Sequence, residues 1–390
     1  MSTKFRSENL LDKATRRDFV KTMAAGTAAL GAIGVPMATM ATMAESSQKI
    51  SAQASSSLLL GGYRYDRTKA LAAGKVTIGD YTHSFMEAGI GDLNSHVIFG
   101  PQELDVTEVG LHPFMLAFSE DNFRDYSLLP IFPLRAFRHK SVFIRTDRNI
   151  KAPADLKGKT IGTPGYSSTS LTWIRGFMQD GYGVSPSDIK WVTSAEDSTA
   201  ETVGKVSKWE QFAPEGIEMR QGPPGMDESD LLVSGEVDAL FHALEPKAFV
   251  EGNPIVSRLF PDSRSAEQAY YSKTGIFPIM HVVAIKNSLA ERDPGVVQQV
   301  FDAYSRSKAM SLQKMNKLGW AMSDLPWFSA ELEDTIRLMG RNYWPYGIEL
   351  NRKTLDTMFR YSHQQGMASR QLTIEELFHP SSLELVEVIE

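Results

Sequence analysis

A chain of 390 residues can fill two compact lobes but not a large multidomain assembly. Its 42% hydrophobic and 23% charged content allows a filled core and excludes a disordered chain, and a net charge of −6 without a dense Lys/Arg run argues against a nucleic-acid partner. Cysteine is absent, which removes disulfides, thiolate metal sites, a Cys nucleophile and a lipoprotein anchor.

The chain begins with a basic region: residues 1–44 hold six Lys/Arg against three Asp/Glu, leaving 35 basic against 44 acidic residues beyond Ala44. Thr15-Arg16-Arg17-Asp18-Phe19-Val20-Lys21 precedes a weakly apolar Gly/Ala-rich stretch from Met23 to Met43. Basic region, apolar region and small residue in that order predict a twin-arginine signal peptide over 1–44, handled by the twin-arginine translocase and cleaved near Ala44. A membrane anchor is the competing reading, but Gly, Thr and Pro36 keep the stretch poorly hydrophobic. The expected product is a soluble periplasmic protein with a flexible lead-in over 45–57.

Leu58 to Tyr63 is an apolar run suited to a buried strand, ending at the polar corner Tyr65-Asp66-Arg67-Thr68 before a helix-like start at Lys69. A second unit runs from Asp155 through a strand ending at Gly162, a Gly/Pro corner, and Ser/Thr residues that cap a helix from Leu171 to Met178. Gly235 to Pro246 repeats the strand-to-corner pattern, and Ile276 to Ile285 reads as a strand returning to the first lobe. From Pro294 onward, spacing such as Val296, Val297, Val300, Phe301, Tyr304 is helical. The expected organisation is lobe 1 over 58–145, lobe 2 over 146–268, and a return to lobe 1 with C-terminal helices over 269–390. In such open α/β sheets, ligands sit beyond the carboxyl ends of the strands.

Asp155-Leu-Lys-Gly-Lys-Thr-Ile-Gly162 with its Gly/Ser/Thr corner, followed by Gly235-Glu-Val-Asp-Ala-Leu240, resembles type 2 periplasmic-binding-protein folds. A narrower resemblance rests on Tyr65-Asp-Arg-Thr68, Phe132-Pro-Leu-Arg-Ala-Phe-Arg-His139, the run Tyr270 to His281, Trp344-Pro-Tyr-Gly347 and Arg360 to Gly366. Over residues 58–379 these are similar to the 4,5-dihydroxyphthalate decarboxylase family. The resemblance implies a two-lobed α/β fold with a helical C-terminal segment. It also implies decarboxylation of a hydroxylated aromatic carboxylate by ring protonation in an interlobe cleft. The export signal favours another reading on the same fold, a solute-binding protein delivering a small carboxylate to a membrane transporter, because scaffold alone does not decide function.

Ring protonation needs a cationic clamp for a retained carboxylate, a base near the hydroxyls and an acid over the ring, and requires neither metal nor organic cofactor. Arg67, Arg135 and Arg138 are the clamp candidates, Arg67 foremost because it follows a strand end; a salt bridge is the alternative use of each. His281 interrupts an apolar strand and is the candidate proton donor, unless it is a core histidine bonded to a backbone carbonyl. His139 and His242 are weaker candidates of the same kind. Asp66 and Glu245 close strands and are candidate bases or simple caps. Gly165, Ser167, Ser168 and Thr169 suit carboxylate binding at a helix start as well as its capping, and Tyr166 suits stacking against the ring of a substrate. The remaining histidines show no metal-site spacing, and no phosphate-binding loop or serine-hydrolase elbow is present.

Overall fold

A computed structural model describes residues 57–387 apart from 204–213 and 323. The expected signal segment over 1–44 lies outside these residues, as does the 45–57 lead-in except for Ser57. Ser57–Gly62 (β1) opens the first sheet, followed by Thr82–Glu87 (β2), Val106–Gly110 (β3) and Tyr126–Arg135 (β4). The chain then changes sheet. Val142–Arg145 (β5), Thr160–Thr163 (β6), Lys190–Thr193 (β7), Met219–Gln221 (β8), Ala239–Phe241 (β9) and Val256–Arg258 (β10) build the second sheet, before Ile279–Lys286 (β11) returns to the first.

The strand orders are β2-β1-β3-β11-β4 and β10-β5-β9-β6-β7-β8. β1, β2 and β3 are parallel, whereas β11 is antiparallel to both of its neighbours, β3 and β4. Two crossings between sheets make the two-lobed α/β architecture of a type 2 periplasmic-binding-protein fold. The crossover falls between Arg135 and Val142, so β5, expected in the first lobe, pairs instead with β9 and β10 of the second. Local sequence could not fix that boundary, because β4 and β5 are both apolar runs and only pairing partners distinguish them.

β3 is buried at every residue, and β11 at every residue but its last, as expected of central strands covered on both faces. That burial makes Glu108 in β3 and His281 in β11 conspicuous, since a polar side chain there needs a partner. The first-lobe core is completed by the helix Val296–Met322, whose Val296, Val297, Val300, Phe301 and Tyr304 are buried at the predicted spacing. In the second lobe the helix Thr169–Tyr182 begins at its Ser168 cap, whose side chain accepts from Leu171 N, and stops at Gly183, where φ of 68° suits a residue without a Cβ.

Candidate active site

A cavity of about 260 Å³ is lined from both lobes: His281 of β11 and Tyr63 and Tyr65, just after β1, come from the first, and Gly165, Ser168 and Thr169, after β6, with His242, after β9, from the second. Arg138, in the segment that crosses between them, also lines it.

The first wall is set by strand register. His281 lies opposite Gly110, and Val283 opposite Glu108, so Glu108 is a diagonal neighbour of His281 on the same sheet face. Pairing of β11 with β4 is irregular on both sides of His281, the kind of bulge that re-aims a side chain. Glu108 Oε1 lies 2.5 Å from His281 Nδ1 and accepts from Tyr65 Oη at 2.8 Å, while Oε2 accepts from Tyr63 N at 3.2 Å. β1 makes room for this carboxylate with Gly62, where a Cβ would stand 3.1 Å from Oε2. The Tyr63 ring stacks on His281 at 6.0 Å. Burial pushes the Tyr63 hydroxyl up to about 12, against an opposing hydrogen bond from Ile90 N. Burial beside the Glu108 charge pushes Tyr65 higher still, so both phenols stay protonated at neutral pH. With Nδ1 held by Glu108, Nε2 is the His281 nitrogen left for a ligand.

Arg138 is buried, and its Nη1 donates to Ala243 O at 2.8 Å while Nε approaches Met280 Sδ at 3.3 Å. Burial lowers its guanidinium to about 10, well above neutral pH, and among the described residues no carboxylate stands within ion-pair distance of it. A buried cation facing a cavity without an anionic partner suits a ligand carboxylate. The start of the helix Thr169–Tyr182 adds its positive end on the same cavity.

The second wall carries His242, immediately after β9. Its Nε2 lies 3.4 Å from Asp197 Oδ1 and 3.8 Å from Glu228 Oε1, and its Nδ1 2.8 Å from Leu244 O. Burial pulls the imidazole down, but the bond to Asp197 and the two carboxylate charges outweigh it and hold His242 above its usual range. Burial raises Glu228. Asp197 is held below its ordinary value because His242 and Thr199 outweigh its own desolvation.

Of the residues expected from sequence, His281, Arg138, His242, Gly165, Ser168 and Thr169 line the cavity. The others are engaged elsewhere. Arg67 donates to Pro133 O and is sandwiched between the Tyr65 and Trp344 rings at 4.2 and 4.0 Å. Arg135 serves Phe277 O, Pro345 O and Asn351. Asp66 is exposed on a different surface depression, and Glu245 pairs with Arg258 at 2.9 Å. His139 stacks on Phe177, Tyr166 lies under Arg175, and Ser167 is buried outside the cavity lining. The clamp and base expected at Arg67, Arg135, Asp66 and Glu245 are therefore not in the cavity lining, because Asp66 is exposed and the other three side chains are taken up by the partners just named. Glu108, Asp197 and Tyr63 at the site went unread; Glu108 stands beside Thr107 in Val-Thr-Glu-Val-Gly, where a polar residue is not anomalous as His281 is in its apolar strand.

No helix among the described residues is long and apolar enough to cross a membrane. An NMT1/THI5-like family pattern matches residues 129–314. The periplasmic aliphatic sulphonate binding protein SsuA of Escherichia coli superposes with a TM-score of 0.49 at 15% identity, over 83% of this chain and 97% of that one. A 4,5-dihydroxyphthalate decarboxylase of Pseudomonas putida is 33% identical over 53% of this chain and 78% of its own length. Another from Comamonas testosteroni is 35% identical over 325 residues, 83% of this chain and 96% of that protein. Likeness of that extent, reaching from the first sheet through the returning strand that carries His281, makes this chain a member of the 4,5-dihydroxyphthalate decarboxylase family.

Proposed function

We propose that the protein removes CO₂ from a hydroxylated aromatic dicarboxylate of the 4,5-dihydroxyphthalate type, with the proton transfers carried by its own side chains. The observation that carries this reading is the His281–Glu108 pair on the wall of a cavity that also holds an unpaired buried guanidinium. Arg138 and the start of the helix Thr169–Tyr182 would bind the carboxylate that is retained. His281, oriented by Glu108 through Nδ1, would deliver a proton from Nε2 to the ring carbon bearing the other carboxylate. The hydroxyl para to that carbon feeds an electron pair into the ring and keeps its own proton, so the one proton consumed is the one that His281 delivers. The carbon–carbon bond to the carboxylate then breaks, its electron pair restores the aromatic ring, CO₂ leaves, and one hydrogen has replaced one carboxylate. Tyr63 and Tyr65, kept protonated, supply an apolar and hydrogen-bonding surface over the ring, and lobe closure would exclude water.

Export is part of the proposal. Thr15-Arg16-Arg17-Asp18-Phe19 supports recognition by the twin-arginine translocase, cleavage near Ala44 and work in the periplasm. That location favours the second reading, a binding protein that passes a small aromatic carboxylate to a membrane transporter. One experiment separates the two: incubate the purified protein with 4,5-dihydroxyphthalate and related hydroxybenzoates, following CO₂ release and thermal stabilisation together. Turnover that vanishes in His281→Asn supports the enzyme. Stabilisation by these ligands without CO₂ overturns it and leaves the binding protein.

A further inference from the structure

The second wall of the cavity holds a cluster that the proton transfer described above leaves unused. Asp197 Oδ1, Glu228 Oε1 and His242 Nε2 all lie within 4.8 Å of one another. The imidazole stands 3.4 and 3.8 Å from the two carboxylate oxygens, longer than the roughly 2.7–2.9 Å of a charge-assisted hydrogen bond. Ligand atoms about 2.0–2.2 Å from a shared tetrahedral cation are themselves about 3.3–3.6 Å apart, so the spacing is close to that of ligands around a metal.

Charge points the same way. The Glu228 side chain is fully buried, that of His242 is 1% exposed and that of Asp197 9%. Neither carboxylate has a Lys or Arg ion-pair partner among the described residues, so even a doubly protonated imidazole leaves one negative charge in a nearly dry place. A proton on Glu228 or a bound cation would cancel it.

The surrounding donors hold the three groups as outer-shell partners hold metal ligands. Ser198 N and Oγ donate to Glu228, and Thr199 N and Oγ1 donate to Asp197 Oδ1 at 2.8 and 2.7 Å. Leu244 O lies 2.8 Å from His242 Nδ1; with the neutral ring's proton on that nitrogen, the Nε2 lone pair turns toward the carboxylates. The opposite tautomer accepts from Leu244 N at 3.1 Å and leaves only a 3.4 Å donation to Asp197. Asp197 and His242 line the cavity, so the remaining coordination position opens toward a bound ligand, as in catalytic rather than structural sites.

We propose that Asp197, Glu228 and His242 bind one first-row divalent cation, of the zinc or manganese class, whose open position faces the cavity and takes an oxygen of the bound ligand. One imidazole and two carboxylates suit such ions better than a soft thiolate-seeking metal. The cation would anchor the ligand's hydroxyl end opposite His281. This departs from the metal-free site expected from sequence, where the three residues are too far apart along the chain to form a spacing motif.

The test is independent of turnover. The purified full chain is stripped with a chelator and titrated with Zn²⁺ and, separately, Mn²⁺ by calorimetry, alongside melting curves of the metal-free forms. One equivalent per chain is expected in the wild type, with binding weakened at least about tenfold in Asp197→Asn, Glu228→Gln and His242→Gln. Asp197→Asn and Glu228→Gln decide the matter if His242→Gln does not fold. No saturable binding by the wild type, or equal affinity in all folded variants, overturns the proposal. So does a higher melting temperature for metal-free Glu228→Gln when neither ion shifts that of the wild type, the signature of a shared proton. Whether CO₂ is released does not enter any of these outcomes.

Discussion

The two cavity walls each set a histidine against carboxylates, but at different spacing. His281 meets Glu108 at 2.5 Å, with two tyrosines also bonded to the same carboxylate. His242 stands 3.4 and 3.8 Å from two carboxylates that are fixed by other donors. The first arrangement is closed around one proton position and leaves Nε2 for the ligand. The second has room between its members. Residue type alone would class them together, yet contact distance separates an oriented imidazole from a cluster shaped to hold something.

The largest break in this comparison comes from the first wall. His281→Asn should lower kcat by about 10²–10⁴-fold, the usual worth of a positioned acid, on the substrate that the wild type decarboxylates. Glu108→Gln keeps a group able to hold the ring but removes the charge that balances a doubly protonated imidazole. A kcat loss of at least about tenfold with KM within about twofold is expected, because Glu108 acts through His281 and not on the substrate. A rise in KM at constant kcat would instead make Glu108 part of ligand binding.

Arginines sharpen the contrast between what touches the cavity and what supports it. Arg138→Ala should raise KM or the ligand dissociation constant by roughly 10–100-fold, the worth of a charged hydrogen bond lost to a carboxylate. Arg67→Ala should leave KM near the wild-type value and lower stability by about 1–2 kcal/mol, since its guanidinium fills the space between Tyr65 and Trp344 and bonds Pro133 O. Chemical denaturation and initial-rate kinetics on both variants check this. Equal KM changes in the two would mean that the clamp is shared.

These cases also show how far sequence reached. These strands were legible because β1, β9 and β11 are apolar runs bounded by Gly, Pro or polar corners, and β6 because a Gly/Pro corner ends it. His281 was legible because a charged or polar residue in such a run is anomalous, whereas Glu108, in Val-Thr-Glu-Val-Gly, sits beside the polar Thr107 and gave no such signal. After β1 the chain keeps a two-residue alternation: Tyr63 and Tyr65 line the cavity, whereas Arg64 and Asp66 are exposed. That parity argued against Asp66 as a base. Arg67 could not be sorted this way, because its packing against Trp344 is set by a segment far along the chain. Asp197, Glu228 and His242 are joined only by the folding of the second sheet, so no local pattern announces them.

The last contrast concerns a histidine that serves neither wall. His139 is 1% exposed and packed on Phe177 at 4.4 Å, its ring nitrogens having no hydrogen-bond partner among the described residues. Burial lowers it to about 4, against an ordinary value near 6.5. Between those values the unfolded chain binds a proton that the folded chain refuses. The stability contributed by a neutral His139 is therefore complete above about pH 6.5 and is lost progressively as pH falls toward 4, a total on the order of 2–3 kcal/mol. His112, lowered to about 3 chiefly by burial, loses stability over the same direction and a longer range. His139→Phe keeps the aromatic packing and removes the proton site. Urea midpoints at pH 7, 5.5 and 4.5 should fall less steeply in this variant than in the wild type, with the residual slope belonging to His112 and the carboxylates. Parallel slopes would mean that His139 takes up its proton within the folded protein, and that its ring is not sealed among Phe177, Phe260 and Tyr270.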